Sequence, residues 1–168
     1  MRRALIRTVL PFLFCLVPLL AAALIAVALP IRARVFYLDN LTAFDGLILA
    51  LGGTLFVIQL LLAWQALRWR GPGFDERPDR WLSNLGQAAE WFPLLGLLGT
   101  VAGILQTFSA VGGSVTQAEI IHRYAPAITA TGSGLLMALL NILPGWVVLL
   151  GRQLIQALGG GEAAHEKH

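Results

Sequence analysis

The sequence predicts an all-α polytopic membrane protein, a helical bundle with four transmembrane helices. Three observations carry that prediction. Of the 168 residues, 57% are hydrophobic and only 12% are charged, with a mean hydropathy of +0.75; a soluble domain carries about 25% charged residues. The apolar residues lie in blocks, each near the roughly 20 residues that a spanning helix needs. Two of the blocks place small and hydroxyl residues on one stripe at the helical period. Residues 1–158 therefore read as a single membrane domain, followed by a polar tail at 159–168. Membrane lipid is the first partner implied. Nucleic acid is not: the net charge of +3 comes mainly from arginines near the segment ends, and no basic cluster with interleaved aromatics is present. The lone Cys15 sits inside an apolar block and forms no intrachain disulfide.

The first span is expected near residues 8–29, after Arg2, Arg3 and Arg7. It contains Pro11 and Pro18, which a spanning helix tolerates with a kink. A basic start and an alanine-rich end also fit a cleaved leader, but the apolar core exceeds the 7–15 residues usual for one. The block is therefore taken as a retained span. Residues 30–45 form a polar connector with Arg32, Arg34, Asp39 and Asn40. The second span, near 46–67, contains Gly52, Gly53, Thr54 and Gln59 and ends on the aromatic and basic rim Trp64, Arg68, Trp69 and Arg70. Residues 68–90 form the next connector, and 71–89 within it are the most polar stretch. Gly71-Pro72-Gly73 breaks the helix, and Ser83 is expected to cap a short helix that leads into the next span.

The third span is expected at 91–112. Gly96, Thr100, Gly103 and Thr107 follow i, i+4, i+7, i+11 and fall on one stripe. Leucines at 94, 97, 98 and 105, with Val101, cover the remainder. The fourth span is expected at 126–150, after a connector with Glu119, His122 and Arg123. Ala127, Thr131, Gly134, Ala138, Asn141 and Gly145 repeat the small-residue stripe. An asparagine at that depth needs a partner in protein or water, and Pro144 bends the helix beside it. Such stripes serve either as a helix-packing seam, as the wall of a narrow passage, or as a socket for a partner helix. Paired as a hairpin, the two spans join their stripes into one weakly polar surface.

Orientation follows from basic bias. Arg2, Arg3, Arg7, Arg68, Arg70, Arg77, Arg80, Arg152 and Lys167 stand on one side, against Arg32, Arg34 and Arg123 on the other. Both termini and the 68–90 connector are therefore expected in the cytoplasm.

Pro93-Leu94-Leu95-Gly96-Leu97-Leu98-Gly99-Thr100-Val101-Ala102-Gly103-Ile104, followed by Phe108, resembles the PxxGLxGTVxGI…F signature of the MotA/TolQ/ExbB proton-channel family. Thr131-Gly132-Ser133-Gly134-Leu135 is similar to the TAxGL segment of that family's last span. The resemblance covers about residues 90–152. It implies an oligomeric bundle in the bacterial inner membrane, a homo-oligomer that is usually a pentamer. It also implies a smaller single-span partner like ExbD, TolR or MotB, with an aspartate in its helix. Ion flow through such an assembly drives mechanical work or energised transport across the envelope. By residue-wise carry-over, Thr100 and Thr131 match the family's pore-lining threonines. Gly96, Gly103, Thr107, Ala127, Gly134, Ala138 and Asn141 are expected beside them, facing the pore or the partner. Four spans with a cytoplasmic start look like the MotA arrangement, while GLLGTV is closer to TolQ and ExbB. Many relatives carry a glutamate five residues before the last-span threonine, where this chain has Pro126. A diverged relative that assembles without conducting, a membrane scaffold, is the alternative reading.

Other chemistry is sparse. Glu119 and His122 share a helical face and could hold a metal or move protons; a solvated interfacial loop explains them equally well. No nucleophile with a nearby base and no phosphate loop is visible, so neither an enzyme nor a cofactor is implied. The acidic residues Asp39, Asp45, Asp75, Glu76, Asp79, Glu90, Glu119, Glu162 and Glu166 all lie in connectors, in the tail or at a span's edge. A proton path needs a titratable group inside the membrane. The chain is therefore expected to depend on a second chain for that acid.

Overall fold

The computed structural model describes residues 2–67, 69–70, 73–74, 77–109 and 117–160. It is all-α apart from one small ribbon, and four of its stretches are long and apolar enough to cross a membrane: Pro11–Ala28, Ala43–Leu67, Arg80–Ser109 and Arg123–Leu154. Helix α1 covers Arg2–Ala28 and runs through Pro11 and Pro18. The predicted connector at 30–45 is largely helical: α2 occupies Ile31–Asp39, starting where the Pro30 carbonyl accepts from Arg34 N at 3.0 Å. Proline pre-sets the entry and has no N–H to lose at a helix start.

Helix α3, Ala43–Leu67, begins three residues before the predicted span. Its start is a reciprocal cap. Thr42 Oγ1 accepts from Asp45 N at 3.2 Å, and Asp45 Oδ2 accepts from Thr42 N at 2.8 Å. This is the capping-box arrangement with aspartate in the place of glutamate. Past α3, β1 (Trp69–Arg70) and β2 (Gly73–Phe74) pair antiparallel, Trp69 opposite Phe74.

Helix α4, Arg77–Ala89, is separated from α5, Trp91–Ser109, only by Glu90. Ser83 lies exposed in the middle of α4 and is not its cap. Residues 110–112, the predicted end of the third span, fall outside the described residues. The larger correction concerns α6, Gln117–Gly160, which passes through Pro126 and Pro144 without ending. The predicted connector before the fourth span is thus its first two turns, and Gly159-Gly160 of the predicted tail is its last. At 1.5 Å per residue a helix of 44 residues is about 66 Å long, roughly twice the ~30 Å hydrocarbon core.

Helix α6 is the central element and packs against α5, α3, α1 and α4. One core cluster joins Cys15 of α1, Ala63, Ala66 and Leu67 of α3, Leu82 of α4, and Val147 and Val148 of α6. A second joins Ile48 of α3, Ala89 of α4, Phe92 of α5, and Met137 and Ala138 of α6.

Candidate functional site

The two small-residue stripes meet each other. Helices α5 and α6 run antiparallel, and their glycines bring backbone against backbone. A Cβ on Gly96 would stand 2.9 Å from Ala130 O, and one on Gly134 would stand 2.9 Å from Gly96 Cα. One on Gly103 would stand 3.0 Å from Ala127 Cβ. Without a hydrophobic force between helices in lipid, such close approach supplies association through van der Waals contact.

The hydroxyls follow the same seam. Thr107 Oγ1 donates to Gly103 O at 2.9 Å or to Arg123 O at 3.0 Å. Thr100 Oγ1 lies 3.0 Å from Gly96 O and 3.1 Å from Ala127 O, and is hydrogen-bonded to Thr131 Oγ1. Gly96, Gly103, Thr107, Ala127, Gly134 and Ala138 are buried, whereas Thr100 and Thr131 are half-buried. The threonine pair therefore sits at the rim of the seam, with its hydroxyls cross-linked and still partly accessible.

Asn141 does not share that seam. Its Nδ2 donates to Gly52 O of α3 at 3.1 Å and to Met137 O at 2.8 Å. The predicted stripe from Ala127 to Gly145 repeats every 3.5 residues, while a straight helix turns every 3.6. The stripe drifts by about 20° per heptad, so two heptads after Ala127 it faces α3 instead of α5. A Cβ on Gly145 would meet nothing within 4 Å. Asn141 Oδ1 and both amide atoms of the buried Gln59 have no partner among the described residues.

On the face of α6 toward α3 stands a polar cluster that the linear reading did not assemble. Asp45, at the edge of a predicted span, is fully buried. Besides Thr42, its carboxylate accepts from Thr129 Oγ1 at 3.1 Å and from Ser133 Oγ at 2.8 Å. Tyr37 of α2 closes the cluster, with its hydroxyl 2.5 Å from Ser133 Oγ. Burial raises the Tyr37 phenol above its ordinary range, the Ser133 hydrogen bond lowers it, and the charge of Asp45 raises it again. The phenol is thus neutral at physiological pH and both donates and accepts. Two signals in the sequence pointed here: the Thr42-x-x-Asp45 cap, and hydroxyls at 129 and 133 one helical turn apart.

At the start of α6, Arg123 Nη2 pairs with the exposed Glu119 Oε1 at 2.6 Å, one turn away. The His122 side chain lies outside the described residues. Among the described residues no group of three or more His, Cys, Asp or Glu is placed to hold a metal.

A family model described as the MotA/TolQ/ExbB proton channel family matches residues 65–154, from the end of α3 through the apolar length of α6. No curated protein and no solved structure matches the chain.

Proposed function

The chain belongs to the MotA/TolQ/ExbB proton channel family, and on that premise we propose that it is the channel subunit of an ion-driven machine. With a single-span, aspartate-bearing partner like ExbD, TolR or MotB, it couples ion flow across the bacterial inner membrane to mechanical work or energised transport. Copies of the chain form a ring, a pentamer by resemblance to the family. Both termini and the 68–90 connector lie in the cytoplasm, and residues 1–158 act as one membrane domain. One observation carries the reading: within the matched region, the Thr100–Thr131 hydroxyl pair is left half-buried at the rim of an otherwise closed seam. Hydroxyls at such a rim hydrogen-bond water or a partner's carboxylate, while Gly96 and Gly134 keep the two helices close enough to present both at once.

A non-conducting scaffold is the second reading. It is favoured by the burial of Gly96, Gly103, Thr107, Ala127, Gly134 and Ala138 within the chain, which spends most of the small-residue stripe on packing. Proton flux into liposomes separates the two readings. Flux with the copurifying partner, lost on Thr100→Leu or Thr131→Leu with assembly intact, supports the channel. Flux that survives both substitutions removes Thr100 and Thr131 from the pore wall and leaves them to the packing seam, and no flux with the partner present supports the scaffold. Reporter fusions at Asp39 and Gln117 are expected to read periplasmic and one at Asp75 cytoplasmic; the reverse pattern sinks the orientation.

A further inference from the structure

We infer that Asp45 is a proton-binding site of this chain itself, filled and emptied through Tyr37 and Ser133. The inference stands apart from the pore reading, because the site takes up its proton whether or not ions flow past Thr100 and Thr131.

The first ground is charge. Asp45 is fully buried in the first turn of a spanning helix. Among the described residues no cationic side chain pairs with it; the ion pair they contain is Arg123 with Glu119. A buried charge without a counter-charge is held only by hydrogen bonds and local dipoles. Here those are Thr42 N at 2.8 Å, Thr42 Oγ1 at 2.6 Å, Thr129 Oγ1, Ser133 Oγ and the N-terminus of α3. A cap alone needs only Thr42. The two hydroxyls from α6 and the phenol from α2 are additional.

The second ground is where the hydroxyl protons can go. Ser133 has one, and its oxygen lies 2.8 Å from Asp45 Oδ1, 2.9 Å from Thr129 O and 2.5 Å from the Tyr37 hydroxyl. With Asp45 ionised, Ser133 donates to Oδ1, Tyr37 donates to Ser133, and Thr129 O loses that donor. With a proton on Oδ1, Asp45 donates to Ser133 Oγ, Ser133 turns its own proton onto Thr129 O, and Tyr37 still donates to Ser133. Thr129 Oγ1 has the same choice, between Asp45 Oδ2 at 3.1 Å, Pro126 O at 3.1 Å and Asn40 O at 3.3 Å. Both protonation states are therefore satisfied by rotating hydroxyls, with no movement of heavy atoms. A hydroxyl serves because it is donor and acceptor at once.

The path follows from the same contacts. Tyr37 is half-buried, and α2 lies outside the spans. A hydronium at the surface gives its proton to the Tyr37 oxygen. Tyr37 passes its original proton to Ser133, and Ser133 passes its own to Asp45. One O–H bond is lost at the hydronium and one is gained at Asp45, so the balance closes. Few other groups compete. Helix α5 has no ionisable side chain, Cys15 of α1 belongs to the other core cluster, and on α2 Arg34 donates to Leu29 O while Asp39 is exposed. A metal ion fits poorly, because the oxygens are in direct hydrogen-bond contact with one another at 2.6–3.1 Å.

The test is infrared difference spectroscopy on the full chain in lipid nanodiscs as pH is lowered. A protonated-carboxylic band is expected that is absent in Asp45→Asn and shifted in Ser133→Ala. Tyr37→Phe keeps the band, but uptake after a pH jump slows about a hundredfold or more, the scale of losing one positioned proton-transfer group. If Asp45→Asn does not fold, Ser133→Ala decides: a band unchanged by it belongs to another carboxyl and overturns the inference. So does the absence of any such band over the folded range, which leaves Asp45 as a cap only. A band abolished by sodium but not by potassium at fixed pH also overturns it, in favour of a metal site.

Discussion

The face of α6 that meets α5 is built from Ala127, Ala130, Thr131 and Gly134, and the face that meets α3 carries Thr129, Ser133, Met137 and Asn141. On the first face helices touch through backbone: Gly134 lies against Gly96, and no side chain separates them. On the second, side chains stand between the helices. Met137 occupies the space left by Gly52, and hydrogen bonds recur along the interface from Asp45–Ser133 to Gly52–Asn141 to Ala66–Arg152. One helix thus uses two means of association at once. Close packing fixes the distance to α5. Polar groups fix the register to α3, because a slip of one residue would take Asp45, Gly52 O and Ala66 O away from their partners on α6.

The largest expected effect tests the close face. In Gly134→Ala the new methyl meets the Gly96 backbone, which has nowhere to go; a loss of about 3 kcal/mol, the upper end of overpacking costs, is expected. Gly52→Ala meets a flexible methionine instead and should cost only about 1–2 kcal/mol. Unfolding of both variants in detergent checks the pair, and equal losses would erase the distinction between the faces.

Gln59 sharpens the picture of the polar face. It lies on the α3 stripe toward α6, one heptad beyond Gly52, with its amide unpartnered among the described residues. Gln59→Met is expected to raise stability by about 1–2 kcal/mol, since a buried unsatisfied amide is replaced by an apolar group of similar size. A loss of stability would mean that the amide finds a partner beyond this chain.

Asn141→Leu is expected to cost about 1 kcal/mol, in line with hydrogen bonds between membrane helices. A cost near zero would show that Gly52 O does not hold the α3 register. The smallest effect is a gain: in Gly53→Ala the methyl meets nothing within 4 Å, and replacing a helical glycine should add about 0.5–1 kcal/mol. If Gly53→Ala instead disrupts the assembled protein, that open position faces another subunit.

Much of the fold was legible from the residues. Hydropathy found the four long apolar helical stretches, and the i, i+4, i+7 spacing put Gly96, Thr100, Gly103 and Thr107 on one stripe. Helix α2 was hidden because Arg32, Arg34 and Asp39 make residues 30–45 look like a loop, and a short helix without an apolar face leaves no periodic signal. The length of α6 was hidden because polar residues before Pro126 read as a connector, although Pro126 lies inside the helix, where a membrane helix tolerates proline.

The four long apolar helices could be read from the residues alone, because their period and length are set locally, by the 3.6-residue turn and by the hydrocarbon thickness. So could the small and hydroxyl residues that line one side of α5. What the residues alone do not show is that this side closes on α6, that Asn141 turns toward α3, and that Asp45 is met by two hydroxyls from one helix more than eighty residues away. The reason is physical. A leucine is as comfortable against lipid as against another helix, so hydropathy does not say which face of a spanning helix packs, and the rotation of one helix against its neighbour is fixed only when both are in place.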